Sequence, residues 1–132
     1  MIEYMNSADG YQPGACNIGP AEIRRRRQIG YLGLAAAVAI GAALLAVDAP
    51  AIARLLIALP VAAGLSGLIQ ARMRFCAGYG MAGLRNLGEL GQQESVEDEA
   101  ARAADRRRAL QIHAASIVGG LAAGIAFVVL PL

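Results

Sequence analysis

Residues 29–47, IGYLGLAAAVAIGAALLAV, contain no charged side chain and decide the fold of this 132-residue chain. At a rise of about 1.5 Å per residue, a helix over this stretch reaches about 28 Å, close to the thickness of the hydrocarbon core of a bilayer. We therefore predict a transmembrane helix at 29–47.

A second apolar stretch, residues 51–70, begins almost at once. Its single charge, Arg54, is near its start, where the long side chain is expected to reach the membrane interface. Pro60 is expected to bend this span in the middle. Only residues 48–50 join the two stretches, and a connection this short predicts an antiparallel helical hairpin.

A third apolar stretch covers residues 112–132. The segment before it starts at Ser95 with a hydroxyl cap, continues with acidic residues and strong helix formers, and meets no helix breaker before Gly119. We expect one helix from about 96 to 130 that extends out of the membrane. The predicted fold class is an all-α integral membrane protein with three transmembrane helices, a hairpin plus this long third helix.

The sequence divides into three parts. Residues 1–20 are rich in glycine and proline without an apolar period, which predicts an arm that is either irregular or ordered only by contact. Residues 21–92 hold the hairpin and a glycine-rich segment that we expect to be loop-like or loosely helical, and Pro20 suits the first turn of the first helix. Residues 93–132 form the polar helix that continues into the third span.

The arginines predict the orientation. Of the 12 basic residues, all arginine, 11 lie before the first span or between the second and third, namely Arg24, Arg25, Arg26, Arg27, Arg72, Arg74, Arg85, Arg102, Arg106, Arg107 and Arg108. The positive-inside rule then predicts a bacterial inner-membrane protein with a cytoplasmic amino terminus, a cytoplasmic face at these arginines and a periplasmic carboxyl terminus. A signal peptide over residues 24–47 is the less favoured alternative.

Composition excludes several function classes. Hydrophobic residues make up 57% of the chain and charged residues 17%, which is far from the soluble norm. Without lysine there is neither a Schiff-base lysine nor a P-loop lysine. Two cysteines and one histidine are too few for a four-ligand structural zinc site, and nucleic acid is not an expected partner.

Small residues repeat at helical spacing in the third span. Ser116, Gly120 and Gly124 form one row, and Gly119 and Ala123 belong to a parallel row beside it. Small residues let a second helix approach closely, which is the main source of helix association in lipid. The helix that packs against these rows belongs either to the same chain or to a partner subunit, and the sequence leaves both possibilities open.

Cysteine offers the first candidate chemistry. Cys16 and Cys76 both fall on the predicted cytoplasmic side, where free thiols are expected. Cys76 follows the second span among Arg72, Arg74 and Arg85, and nearby cations favour a reactive thiolate. Burial against lipid works in the opposite direction. Cys76 is the candidate reactive thiol, against the alternative of an inert one.

Histidine offers a weaker candidate. His113 opens the third span and is the only imidazole available as an axial ligand to haem or a chlorin, although an interfacial residue without a ligand is the simpler interpretation. Gly78, Gly80 and Gly83 match the dinucleotide-binding pattern. That pattern needs a preceding strand in a βαβ unit, and here a membrane helix precedes it, so the match is taken as accidental.

Several of these motifs together resemble a known module. The opening Asn17-Ile18-Gly19, the arginine run, Gly30, two apolar spans and Cys76-Ala77-Gly78-Tyr79 with Gly83 resemble the two-span membrane module of YgaP-like inner-membrane proteins, over residues 16–88. Some members of that family carry a rhodanese sulfurtransferase domain, so the resemblance implies a sulfur-handling role for Cys76. The chain departs from the family at Ala77, where the family has proline, and in its third span.

These features favour a non-enzymatic role. We expect a small accessory or assembly subunit of a bacterial inner-membrane complex, with the lipid bilayer and either further copies or other membrane subunits as partners. The alternative is a cytoplasm-facing thiol protein that relays sulfur or redox equivalents through Cys76. A haem- or chlorin-binding subunit using His113 is the weakest of the three, and no cofactor is predicted.

Overall fold

The computed structural model describes residues 10–132 and confirms an all-α chain with three helices long and apolar enough to span a membrane. Residues 1–9, the start of the predicted arm, lie outside the described residues. The elements in chain order are α1 (Pro20–Ala46), a 3-10 helix (Ala51–Ile57), α2 (Ala58–Met73), α3 (Ala77–Ala82), β1 (Leu84–Arg85), β2 (Glu94–Ser95) and α4 (Glu99–Val129). The strands form a single two-residue antiparallel ladder.

Helix α1 begins at Pro20, as the sequence predicts, because proline has no N–H to lose in the first turn. It ends in a tight turn at Asp48, whose φ of 55° is in the left-handed region. The Ala49 N–H donates to the Leu44 carbonyl at 3.0 Å and closes this turn. The chain then reverses into the second span and forms the predicted hairpin.

The second span differs from expectation at Pro60. It starts as a 3-10 helix and becomes α-helical at Ala58, so Pro60 lies in the first turn of α2 rather than bending the middle of a helix. Proline is tolerated there because first-turn N–H groups have no helical partner. Arg54 extends to the end of α4. It is buried and donates to the carbonyls of Phe127, Leu130 and Leu132, which caps the end of α4.

Glycines set the crossing of α1 and α2. A Cβ placed on Gly33 would lie 2.7 Å from the Gly64 Cα, and one on Gly67 would lie 2.7 Å from the Gly30 nitrogen. Both distances are shorter than real Cβ contacts, so the two backbones touch where each helix has a Gly-x-x-Gly pair. In lipid such close packing stabilises a helix pair, since the hydrophobic effect does not.

Helix α4 confirms the long third helix, with one change at its start. Ser95 is in β2 and does not cap the helix; Asp98 does, by accepting a hydrogen bond from the Ala101 N–H at 2.8 Å. The buried face of α4 includes Ser116, Gly120 and Gly124 and packs against the hairpin of the same chain. A Cβ on Gly120 would lie 2.6 Å from the Ala58 carbonyl oxygen.

The remaining chain gathers at the end of the three helices that carries the arginines, which we call the arginine end. A small apolar core forms there from Phe75, Ala77, Ala109 and Ile112, with the arm from residue 10 onward folded over it. The arm is irregular but held by pairing, since Ile18 forms a bridge with Asn86. The glycine-rich segment holds a short helix and a ladder rather than an open loop. This assembly positions the candidate site.

Candidate functional site

Cys76 lies in the sharp turn between α2 and α3. Helix α2 ends at Arg74, which adopts a left-handed conformation with φ 56°, and the chain then restarts at Ala77. Cys76 is the N-cap of α3, and its Sγ accepts a hydrogen bond from the Tyr79 N–H at 3.4 Å. The side chain is therefore where serine or aspartate usually caps a helix.

Asn17 from the arm holds the backbone of Cys76. Its Oδ1 accepts from the Cys76 N–H at 2.6 Å, and its Nδ2 donates to the Cys76 carbonyl at 3.1 Å. Asn17 is fully buried, and its own backbone pairs with Arg74 and Asn86. A two-point clamp of this kind orients the cysteine by long-range contact.

Arg26 is the cation at the thiol. Its Nη2 donates to Cys76 Sγ at 2.7 Å, while Nη1 donates to Glu22 Oε1 at 3.0 Å. Its guanidinium also lies 5.9 Å from the centre of the Tyr79 ring. This contact puts a positive charge and a hydrogen-bond donor directly at the sulfur atom.

Glu22 holds Arg26 from the side opposite the thiol. Its carboxylate is only 1% exposed, so it needs hydrogen-bond partners within the protein. Its Oε2 accepts from the Tyr79 hydroxyl at 2.6 Å and from Asn86 Nδ2 at 3.0 Å, so both carboxylate oxygens are bonded. Burial, and then the hydrogen bond to Glu22, raise the pKa of the Tyr79 phenol above its ordinary value of 10.0. Tyr79 therefore remains a donor across the physiological range.

Access to the sulfur is narrow and lies on one side. Cys76 is 5% exposed, with the partly exposed side chains of Arg26 and Tyr79 next to it. Gly78 is exposed, and a Cβ placed on it would meet one atom within 4 Å, Cys76 Sγ at 3.8 Å. The sulfur is therefore nearly covered, and Gly78 adds no side chain over it. We call Asn17, Glu22, Arg26, Cys76, Tyr79 and Asn86 the thiol cluster.

The arm is also tied to α4. Asp105, which is fully buried, accepts from the Tyr11 hydroxyl and from the Gly14 N–H, both at 2.7 Å. Arg108 Nε donates to the Gly14 carbonyl at 3.0 Å, and the Arg85 guanidinium lies 5.0 Å from the Tyr11 ring centre. Burial and the bond to Asp105 raise the pKa of Tyr11. The arm thus links α4 to the thiol cluster.

The other predicted candidates lie apart from this cluster. Cys16 is half-buried and lines a separate cavity of about 300 Å³ with Arg74 and Ile23. His113 is exposed on the outer face of α4. In the small-residue rows, Gly119 would contact Leu65 if it had a Cβ, and Ala123 is half-buried beside it. The structure brings neither Cys16 nor His113 to Cys76.

The cation at Cys76 is not one of those expected. Arg72 and Arg74 are exposed, and Arg85 pairs with Glu94 at 3.3 Å. Sequence reasoning missed Arg26 because it stands within a run of four arginines. The signal available was the spacing of Glu22, Arg26 and Gly30, which places them on one helix face.

Among residues 10–132, no group of three histidine, cysteine or acidic side chains is arranged to hold a metal ion. The chemistry of the cluster is that of a single thiol, a guanidinium and a hydrogen-bonded carboxylate. No protein-family model matches the chain, and neither the curated proteins nor the solved structures contain a significant match.

Proposed function

We propose that this chain is a membrane-anchored thiol protein that relays sulfur through Cys76 at a cytoplasmic arginine end. The observation that carries the proposal is the 2.7 Å contact from Arg26 Nη2 to Cys76 Sγ. A guanidinium held there by a buried carboxylate gives the attacking sulfur a positive charge and a hydrogen-bond donor at contact distance. The clamp by Asn17 keeps the nucleophile in one position.

The step proposed is transfer of a sulfane sulfur from a persulfide donor. The Cys76 thiolate attacks the terminal sulfur of R–S–SH, a new S–S bond forms, and the donor bond breaks with its electron pair leaving as the thiolate R–S⁻. The transferred sulfur keeps its proton, so Cys76 becomes Cys–S–SH with no net oxidation. An acceptor thiolate then takes the same sulfur in the same manner. Arg26 compensates the negative charge on the sulfur during the transfer.

Two further points support the proposal. The resemblance of residues 16–88 to the YgaP-like module includes three residues that meet in the thiol cluster, Asn17, Cys76 and Tyr79. The positive-inside rule puts the arginine end in the reducing cytoplasm, where thiols and persulfides persist.

The test uses the full chain in detergent with Cys16→Ser, so that Cys76 is the sole thiol. After incubation with glutathione persulfide, intact mass should show the gain of one sulfur, and Arg26→Gln should slow its appearance. Arg27→Gln is the matched control because Arg27 is exposed and adjacent to Arg26. Absence of the added sulfur in the parent, or equal rates in the two arginine variants, contradicts the proposal.

A second candidate function is the accessory membrane subunit. The Gly120 and Gly124 row is occupied by the chain's own hairpin, so a partner needs another surface. An apolar groove of about 610 Å³ at the far end of the helices, where Ala37 and Gly41 of α1 face Phe127 of α4, supports this role.

The groove has its own test. A Cβ on Gly41 would make ordinary contacts of 3.4 Å or more, so Gly41→Leu should partly fill the groove with little strain in the fold. Loss of co-purifying membrane subunits with Gly41→Leu, and not with the exposed Ala36→Leu, is the expected result. If co-purification is unchanged, the groove is filled by lipid and does not bind a partner subunit.

A further inference from the structure

A second feature of the arginine end is a set of arginines that face outward. Five of them belong to the hairpin and are exposed: Arg24, Arg25, Arg27, Arg72 and Arg74. We call them the arginine collar. The apolar part of α1 starts directly after Arg27, and α2 ends at Met73. The collar therefore lies at the boundary between the apolar spans and the polar assembly.

The collar has no acidic partner in the described part of the chain. Among residues 10–132 the ion pairs are Arg26 with Glu22 and Arg85 with Glu94. Of the four consecutive arginines on α1, Arg26 alone is drawn inward to an acid and a thiol. Its neighbours Arg25 and Arg27 point away from that face, since successive helix residues are about 100° apart.

The glycine crossing places the two halves of the collar at the same end of the hairpin. The antiparallel register puts Gly67 of α2 against Gly30 and the Arg26 carbonyl of α1. Continuing this register brings Arg72 level with Arg25 along the helix axes. Exposed positive charges gathered at one level attract anions.

The backbone at Arg74 is a separate observation. Its left-handed φ of 56° is a conformation that glycine adopts freely and that strains other residues, yet the position holds arginine. Glycine is the usual residue at a helix terminus of this geometry. Arg74 therefore costs local stability relative to glycine, as Asp48 does at the end of α1.

We propose that the arginine collar binds the headgroups of anionic phospholipids in preference to zwitterionic ones. The partner follows from position and charge: exposed guanidinium groups at the boundary of apolar helices meet lipid phosphates, and arginine binds phosphate in a bidentate manner. Each basic residue at such a surface strengthens binding about fivefold, the equivalent of about 1 kcal/mol. This inference is independent of the chemistry at Cys76.

The test uses the full chain reconstituted in phosphatidylcholine bilayers with spin-labelled phosphatidylglycerol or spin-labelled phosphatidylcholine as the probe. The motionally restricted fraction of each probe gives their relative affinity. The parent should prefer phosphatidylglycerol, and Arg25→Gln with Arg72→Gln should remove most of that preference. Arg85→Gln with Arg102→Gln is the charge-matched control, because Arg85 is in the polar ladder and Arg102 lies about 12 Å along α4 before Leu110.

Arg74→Gly guards against a folding artefact. It relieves the left-handed strain, so thermal stability should be unchanged or higher while the phosphatidylglycerol preference falls about fivefold. Equal restriction of both probes by the parent overturns the proposal, as does an undiminished preference in the collar variants. Loss of the preference on addition of millimolar inorganic phosphate overturns it too, because the collar would then bind a soluble anion.

Discussion

Replacing Asn17 by alanine should loosen the thiol cluster by an amount that follows from the hydrogen bonds. The Cys76 N–H has Asn17 Oδ1 as its partner at 2.6 Å, whereas the Cys76 carbonyl keeps a second bond from the Gly80 N–H at 2.9 Å. The main loss is thus one buried donor without a partner, which costs about 1–3 kcal/mol. A value of about 2 kcal/mol makes opening of this turn roughly 30-fold more frequent.

The assay is the rate of alkylation of Cys76 in a Cys16→Ser background, measured by intact mass in mild detergent. Because Cys76 is almost buried, reagent reaches it mainly through local opening, and Asn17→Ala should speed labelling about 30-fold. Gln12→Ala, an exposed position on the same arm, should leave the rate unchanged. An increase below about threefold, less than the smallest cost of an unpaired buried donor, would refute the reasoning.

Three further predictions concern packing, pH and the far end. Gly120→Leu should destabilise the chain by about 1–3 kcal/mol or more in detergent unfolding, because a Cβ there meets the Ala58 carbonyl at 2.6 Å, while the exposed Ala122→Leu should be neutral. The pKa of Tyr79 is raised in the folded state, so above pH 10.0 the folded chain keeps a phenol proton that the unfolded chain has lost. The free energy of unfolding should therefore fall as the pH rises past that value. Tyr79→Phe should flatten this part of the pH profile of stability. Arg54→Gln removes the guanidinium from three carbonyls and should speed amide exchange over residues 127–132; unchanged protection there would show that the cap is not needed.

The spans were predictable because the absence of charge over 29–47 is a local property of the chain. The thiol cluster was not, since Asn17 and Cys76 are 59 residues apart and nothing in either neighbourhood records the pairing. The same holds for Arg26, which differs from Arg25 and Arg27 only in the face on which it lies. A count of charges does not distinguish the four arginines at 24–27. Their angular positions around α1 do, because Arg26 faces inward while its neighbours face outward.

The glycines divide in the same way. The row in the third span was recognised from its spacing, but its partner, the hairpin of the same chain, depends on tertiary packing. The Gly-x-x-Gly pairs are Gly30 with Gly33 in α1 and Gly64 with Gly67 in α2. Their residues are three apart, so they do not match the four-residue spacing by which the row in the third span was recognised. Ser95 and Asp98 both offer a capping side chain, and the β1–β2 ladder, which engages Ser95, decides between them.

The arm contacts impose an order on biogenesis. Tyr11 and Gly14 meet Asp105 across 94 and 91 residues, so the arm cannot dock until the much later Asp105 has been synthesised. Membrane insertion of the hairpin comes first, and closure of so long a loop is slow compared with helix formation. Until then, Cys76 is without its complete set of neighbours. A nascent or truncated chain that ends before α4 would therefore lack Ala109 and Ile112, which pack with the two residues on either side of Cys76, Phe75 and Ala77.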